Sequence, residues 1–172
     1  MAKTQTKVIT DFWACQRPMG RYKGIYPGGI LKRIDDLIGL KNKKLLHLFA
    51  GVTSKINRTD ITMDTNPKVR PEIIGDCRKR LPIPKNSFDV VLADPPYDSD
   101  FKIYGKELYG TEAVKPYSFV KEAVRVCKKG GFVCILHQLV YITPKQTRRW
   151  AVIGVSTGPN MRVRALNIFQ KT

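Results

Sequence analysis

Five short apolar runs constrain the fold of this chain more than any other feature of its sequence. Each run has the length of a β-strand, and most of them end in glycine, aspartate or a turn signal. In chain order they are KLLHLF (44–49), DITM (60–63), EII (72–74), FDVVLA (88–93) and GFVCIL (131–136). Strand-length runs interrupted by helical segments are typical of an α/β sheet whose strands are mostly parallel.

Two helices and a terminal hairpin are predicted around these strands. Apolar residues recur at helical spacing over 30–38 and on one face of 117–129. The runs at 151–155 and 163–169 flank a TGPN turn, which predicts an antiparallel hairpin. The segment 11–29 mixes aromatic with basic side chains, and we expect it to be irregular.

The connections between the first three runs are short. Ten residues separate KLLHLF from DITM, and eight separate DITM from EII. Parallel strands usually need a crossover of a dozen residues or more, so two covering helices should be reduced to loops or single turns. One face of the sheet is then thinly covered. We expect the aromatic N-terminal segment, or else a second copy of the chain, to cover it; the aromatic residues of that segment are Phe12, Trp13, Tyr22 and Tyr26.

The chain is strongly basic. It has 172 residues, which suits a single domain spanning 1–172 with an N-terminal arm at 1–25, and its net charge is +17. A polyanionic partner relieves the self-repulsion of such a chain by releasing condensed counterions. We therefore expect nucleic acid as the partner. The alternative is a soluble protein that is merely basic.

The sequence gives no sign of a membrane segment or a metal site. No apolar stretch approaches the roughly 18 residues of a membrane helix, and MAKTQTKVIT lacks the apolar run of a signal peptide. The four cysteines are scattered, without a CxxC pair or matching histidines. We expect a cytoplasmic protein with reduced thiols.

The tetrapeptide Asp94-Pro95-Pro96-Tyr97 follows FDVVLA directly. Prolines cannot extend a strand, so these residues should form a stiff loop at the strand's carboxyl end, where open α/β sheets bind ligands. The Asp94 carboxylate and the Pro95 carbonyl can accept the hydrogens of a base amino group. Tyr97 can stack on a base that has been extruded from its helix. The four residues are the candidate catalytic residues.

This motif resembles the hallmark [DNS]-P-P-[YFW] of the class I amino-methyltransferases that act on nucleic acid. The resemblance implies a Rossmann-like fold and S-adenosyl-L-methionine as the cofactor. LHLFAGVT (46–53) is similar to the family's F-x-G-x-G, with Thr53 in place of the second glycine. A threonine is tolerated there only if its φ stays below zero.

The resemblance also implies roles for residues that follow the other strands. Asp64 stands where the family binds the ribose hydroxyls, and Asp76-Cys77 where it binds adenine. YPGG (26–29) is similar to the segment that closes over the cofactor's carboxylate. The implied cofactor-binding residues are Tyr26, Gly28, Phe49, Ala50, Gly51, Asp64, Asp76, Cys77 and Asp94.

We expect weak recognition of nucleic-acid sequence, because the chain has no room for a target-recognition domain. Short loops or a partner protein must supply it. The loop 98–115 and the cluster at 145–150 combine basic and aromatic residues that suit phosphate contact and stacking. The candidate nucleic-acid-binding residues are Lys102, Tyr104, Lys106, Tyr109, Arg148 and Arg149. His47 is expected in the core, and His137 near the cofactor edge.

Adenine N6 in DNA is the predicted target, because the resemblance implies that aspartate at the first motif position favours adenine over cytosine. Two alternatives remain open. One is a methyltransferase of RNA bases, at guanine N2 or adenine N6. The other is a nucleic-acid-binding protein whose cofactor site has decayed, which Thr53 and the short crossovers favour.

Overall fold

The apolar runs join in one mixed sheet. The computed structural model describes residues 7–17, 26–53, 55–97, 114–159 and 161–172. Within them the strands are β1 (Ile9–Ala14), β2 (Leu45–Leu48), β3 (Ile61–Asp64), β4 (Ile73–Ile74), β5 (Phe88–Ala93), β6 (Cys127–His137), β7 (Thr147–Ser156) and β8 (Arg164–Lys171). The helices are α1 (Ile30–Ile38) and α2 (Val120–Val126), with a 3-10 turn at Pro67–Val69.

The strand order is β1-β7-β8-β6-β5-β2-β3-β4. β8 runs antiparallel to both of its neighbours, and every other pairing is parallel. The predicted mostly parallel sheet with a C-terminal antiparallel hairpin is therefore confirmed. In the described residues, neither helix is long and apolar enough to cross a bilayer.

Each face of the sheet carries its own core. On one face α1 packs Ile30 and Ile34 against strand residues such as Leu92. On the other face α2 packs Ala123 with Phe119 in a second cluster. Because the central strands are buried on both faces, they read as continuous apolar runs, as parallel strands usually do.

The two short crossovers contain no α-helix in their described residues, as predicted. After β2 the chain is held by side chains: the Asp60 carboxylate accepts hydrogen bonds of 2.8 Å from the backbone amides of Ile56 and Asn57. The Asn57 amide nitrogen donates at 2.9 Å to the carbonyls of Leu40 and Lys43. These bonds satisfy backbone groups that a helix would satisfy by itself.

The N-terminal segment is not irregular throughout, which corrects the sequence prediction. Residues 9–14 form β1, which pairs in parallel with β7 at the edge of the sheet. Trp13 and Tyr26 are buried in the core on the α1 face, whereas Phe12 is 58% exposed. The segment therefore helps to cover this face, as expected, through Trp13 and Tyr26. Tyr22 lies outside the described residues.

The outer edge of β1 is partly capped. The Asp11 carboxylate accepts from the Phe12 amide at 2.7 Å, and the Arg33 guanidinium donates to the Ala14 carbonyl at 3.2 Å. The Cys15 amide bonds to Ser156 on the β7 side, so by alternation the Phe12 and Ala14 groups face outward. Capping of this kind discourages another strand from pairing with an exposed edge.

His47 lies in the middle of β2 and is fully buried, as predicted for a core histidine. Its Nε2 is 3.7 Å from an Asp60 carboxylate oxygen, and neither ring nitrogen has a hydrogen-bond partner among the described residues. Burial lowers the pKa of His47 below its usual 6.5, and the nearby Asp60 opposes that shift only in part. The histidine is therefore neutral in the folded protein.

This burial predicts a pH-dependent stability. The unfolded chain takes up a proton at His47 more readily than the folded one, so stability is present above pH 6.5 and falls as the pH drops below it. The loss attributable to this group is at most about 1.4 kcal/mol for each pH unit. Urea unfolding of wild type and His47→Gln at pH 7.5 and 5.5 measures it. The wild type should lose more stability than the variant, and equal losses would contradict a neutral buried His47.

Candidate active site

The carboxyl ends of four parallel strands place the candidate residues along one edge of the sheet. Leu48 at the end of β2 pairs with Ala93 at the end of β5, and Ala93 pairs with Ile135 in β6. The loops that follow β2 and β5 therefore start side by side. Asp64, the last residue of β3, ends at the same edge. The register of the sheet thus assembles residues that are distant in sequence.

Asp94 and Tyr97 are bonded to each other inside the tetrapeptide loop. The Tyr97 hydroxyl donates to the Asp94 carboxylate at 2.8 Å. Burial raises the pKa of Tyr97 well above its usual value, so it stays a neutral donor. The ring is 7% exposed and lies edge-on to His137, with centroids 5.0 Å apart. Tyr97 is thus largely covered by other groups in this structure, and its stacking on an extruded base stays a prediction.

Arg164 is the site residue that the sequence prediction missed. Its Nη1 lies 3.8 Å from the Asp94 carboxylate and 3.5 Å from the Tyr97 hydroxyl. Arg164 opens β8, and its neighbour Ala165 pairs with His137 at the end of β6. The sequence could have indicated Arg164, because the second strand of the predicted hairpin begins at the carboxyl edge of the sheet.

The loop after β2 has the conformation that a glycine-rich cradle needs. Phe49 and Gly51 have positive φ angles of 54° and 53°, and Thr53 does not adopt a positive φ. The condition on the threonine is thus met. Its amide and hydroxyl both donate to the Ala50 carbonyl, which closes the turn. The Gly51 amide donates to the Asp64 carboxylate at 2.9 Å, so Asp64 ties this loop to β3.

Asp76 is bound by a neighbouring arginine. The Arg78 guanidinium donates to both of its carboxylate oxygens, at 2.8 to 3.0 Å, and this pairing lowers the pKa of Asp76. The sequence analysis assigned Asp76 to the adenine amino group and did not predict its ion pair with Arg78. Cys77 is buried, and burial raises the pKa of its thiol, which makes it an unreactive wall residue.

Tyr26 and Gly28 border the same region. The Tyr26 hydroxyl is buried and has no hydrogen-bond partner among the described residues. Burial, and secondarily the Asp94 carboxylate, raise the pKa of Tyr26, so this hydroxyl lies within electrostatic reach of the motif. Gly28 exchanges two backbone hydrogen bonds with Gln16, at 2.9 and 3.2 Å. A Cβ at Gly28 would approach the Gln16 Cβ to 3.0 Å.

Arg148 and Arg149 do not reach this edge. They lie near the start of β7, opposite Gln170 and Phe169 at the far end of β8. Arg148 donates to the Gln170 side chain at 2.9 Å, and Arg149 stacks on Phe169 and donates to the Tyr141 carbonyl. Both side chains are held by contacts within the protein, away from the motif, and their role in nucleic-acid binding stays a prediction. Lys102, Tyr104, Lys106 and Tyr109 lie outside the described residues.

Similarity to known proteins is confined to structure. No protein-family model and no curated protein sequence matches the chain. The chain is similar to TrmN from Thermus thermophilus, with a TM-score of 0.60 and 16% identity over 86% of this chain and 49% of TrmN. It is also similar to a SAM-dependent methyltransferase from Aquifex aeolicus, with a TM-score of 0.51 and 13% identity over 80% of this chain and 88% of that protein.

These similarities identify the fold as the Rossmann-like fold of class I methyltransferases, as the sequence predicted. The chain spans about half the length of TrmN. A fold of this kind hosts many chemistries, so the activity has to be argued from the site.

Proposed function

We propose that this protein is an S-adenosylmethionine-dependent methyltransferase that acts on an exocyclic amino group of a nucleic-acid base, adenine N6 in DNA. The observation that carries the proposal is the position of Asp94-Pro95-Pro96-Tyr97. The motif lies directly after the central strand β5, beside the loop after β2, at the ligand-binding edge of the sheet. The description of the Aquifex aeolicus protein as a SAM-dependent methyltransferase supports it.

The residues present fit this cofactor. The buried Tyr26 hydroxyl, without a partner in the described residues, suits a polar group of the methionine end. The backbone at Phe49, Ala50 and Gly51 offers a cradle, because the Phe49 ring packs against Phe119 and the other two residues have small side chains or none. Asp64 accepts one bond from Gly51 and one from Asn66, and a carboxylate can accept about four, so it retains capacity for ribose hydroxyls. Asp76 already accepts hydrogen bonds from the backbone amide and the guanidinium of Arg78, so an adenine amino group has to share or displace one of them.

When bound, the cofactor supplies an electrophilic methyl carbon. The lone pair of the base amino nitrogen is delocalised into the ring, which makes this nitrogen a poor nucleophile. The protein therefore has to hold the nitrogen in line with the methyl carbon. Asp94 and the Pro95 carbonyl accept the two amino hydrogens and hold the nitrogen in place, which is catalysis by positioning. Tyr97 orients the Asp94 carboxylate through its hydroxyl. A base that stacks on the Tyr97 ring must first displace the groups that bury it.

The charge of the chain supports a nucleic-acid substrate. A net charge of +17 favours many phosphate contacts, which position a substrate without reading its sequence. Adenine remains the proposed base because the first motif residue is aspartate. RNA is the second candidate, since the same amino-group chemistry serves its bases. Thr53 no longer argues for a decayed cofactor site, because its φ is compatible with the cradle.

Asp94→Ala should abolish methyl transfer and leave cofactor affinity within a few-fold of wild type. Asp94 is assigned to the amino group, whereas the cofactor is held mainly by the loops after β2 and β3. Turnover with labelled cofactor and calorimetry with S-adenosylhomocysteine, on the same preparation, measure the two effects. Asp36→Ala, an exposed acid on α1, is the matched control. Full activity in Asp94→Ala would remove the central role of the motif.

Asp64→Ala should weaken S-adenosylhomocysteine binding by roughly 1.5–3 kcal/mol, as expected for a charge-assisted hydrogen bond lost from a half-buried site. The variant also loses the tie to Gly51. Asp64→Asn, which keeps an acceptor oxygen, should lose less. Calorimetry on the three proteins decides the matter. An affinity unchanged in Asp64→Ala would mean that the cofactor does not contact the end of β3.

A further inference from the structure

Asp94 and Arg164 form an acceptor and donor pair at the mouth of the motif. The Asp94 carboxylate oxygen and the Arg164 Nη1 are 3.8 Å apart, and each side chain is 18% exposed. The pair is thus largely removed from water yet still open to a ligand. A separation of 3.8 Å is longer than a strong ion-pair hydrogen bond, so the two groups lie side by side without a direct hydrogen bond between these atoms.

Each of the two groups can bond to more than one partner. A guanidinium has five N–H donors in a planar fork, and a carboxylate has about four acceptor positions. The Tyr97 hydroxyl is one of the partners of Asp94. Because Arg164 comes from the C-terminal hairpin, it approaches Asp94 from a different part of the chain than the proline loop.

This pair matches the edge of a base that carries an amino group. In adenine the 6-amino group is a donor, and the adjacent ring nitrogen N1 is an acceptor. A carboxylate facing the amino group would leave the neighbouring guanidinium facing the ring nitrogen. Proteins that extrude a base read it through hydrogen bonds to this edge.

We propose that Arg164 is a substrate-recognition residue that donates a hydrogen bond to the ring nitrogen beside the target amino group, which is N1 in adenine. The inference rests on the proposed function. Arg164 would fix the rotation of the base in its plane, so that the amino nitrogen stays on Asp94. The bonds to Asp94 and the Pro95 carbonyl hold the base at its amino group, and a bond to the ring nitrogen would hold it at a second point.

Single-stranded oligonucleotides with one target base test the proposal. One carries adenine, one carries 1-deazaadenine, which lacks N1, and one carries 7-deazaadenine, which keeps N1. The enzymes are wild type, Arg164→Met, Arg164→Lys and the control Arg162→Met, whose side chain is exposed. The measured quantity is kcat/KM for methyl transfer. Comparing every enzyme on every oligonucleotide separates the effect of the bond to N1 from any change in the intrinsic reactivity of the base.

The wild type and Arg162→Met should lose about ten-fold or more in kcat/KM on 1-deazaadenine and little on 7-deazaadenine. Arg164→Met should lose a similar factor on adenine and nothing further on 1-deazaadenine. Arg164→Lys, with a point charge in place of the planar fork, should fall between them. If Arg164→Met does not fold, Arg164→Lys and the loss of kcat/KM by the wild type on 1-deazaadenine still test the proposal.

A wild type that methylates 1-deazaadenine as well as adenine would overturn the inference and leave the proposed function standing. So would an Arg164→Met that keeps the full 1-deazaadenine penalty. Absence of methyl transfer to every oligonucleotide, with S-adenosylhomocysteine still bound, would instead overturn the proposed function, and this inference with it.

Discussion

The parallel pairing of β2 with β5 in the middle of the sheet is the constraint on which the rest of the site depends. It aligns Leu48 with Ala93, so the cradle after β2 and the proline loop after β5 begin at the same level. Pairing of β3 with β2 then brings Asp64 to the Gly51 amide. A slip of one residue in this register would move every side chain of the slipped strand to the opposite face of the sheet and offset the two loops.

The sequence was most informative where burial is complete. FDVVLA became β5 with the same bounds, and 30–38 became α1, because apolar spacing directly reports burial. β1 was missed because five of its six residues are exposed, so pairing with β7 stabilises it rather than an apolar pattern. Residues 127–129 belong to β6 instead of the predicted helix, since pairing with β5 starts at Cys127.

Within the site, motif residues were predictable and their partners were not. The tetrapeptide and the acids at strand ends follow from local patterns. The bonds from Arg78 to Asp76 and from Tyr97 to Asp94 depend on side-chain rotamers, which spacing does not determine. Arg164 depends on the register of the hairpin, which is set by residues about seventy positions after the motif.

The charge distribution links the fold to its proposed partner. Many acidic side chains hold loops and strand ends together: Asp11, Asp35, Asp60, Asp64, Glu72, Asp76 and Glu122 all accept backbone or side-chain hydrogen bonds within the protein. These carboxylates have partners within the protein, and the net charge of +17 is what the proposed nucleic-acid partner would neutralise. Such binding should be strong at low salt and weakly selective for sequence.

Transfer of an isotopically labelled methyl group tests the account most directly. The protein is incubated with methyl-labelled S-adenosylmethionine and, separately, with single-stranded DNA, duplex DNA and RNA. Each nucleic acid is then digested to nucleosides and analysed by mass spectrometry. The account predicts label on N6 of deoxyadenosine. Label on no nucleoside, from a preparation that binds S-adenosylhomocysteine, would contradict it.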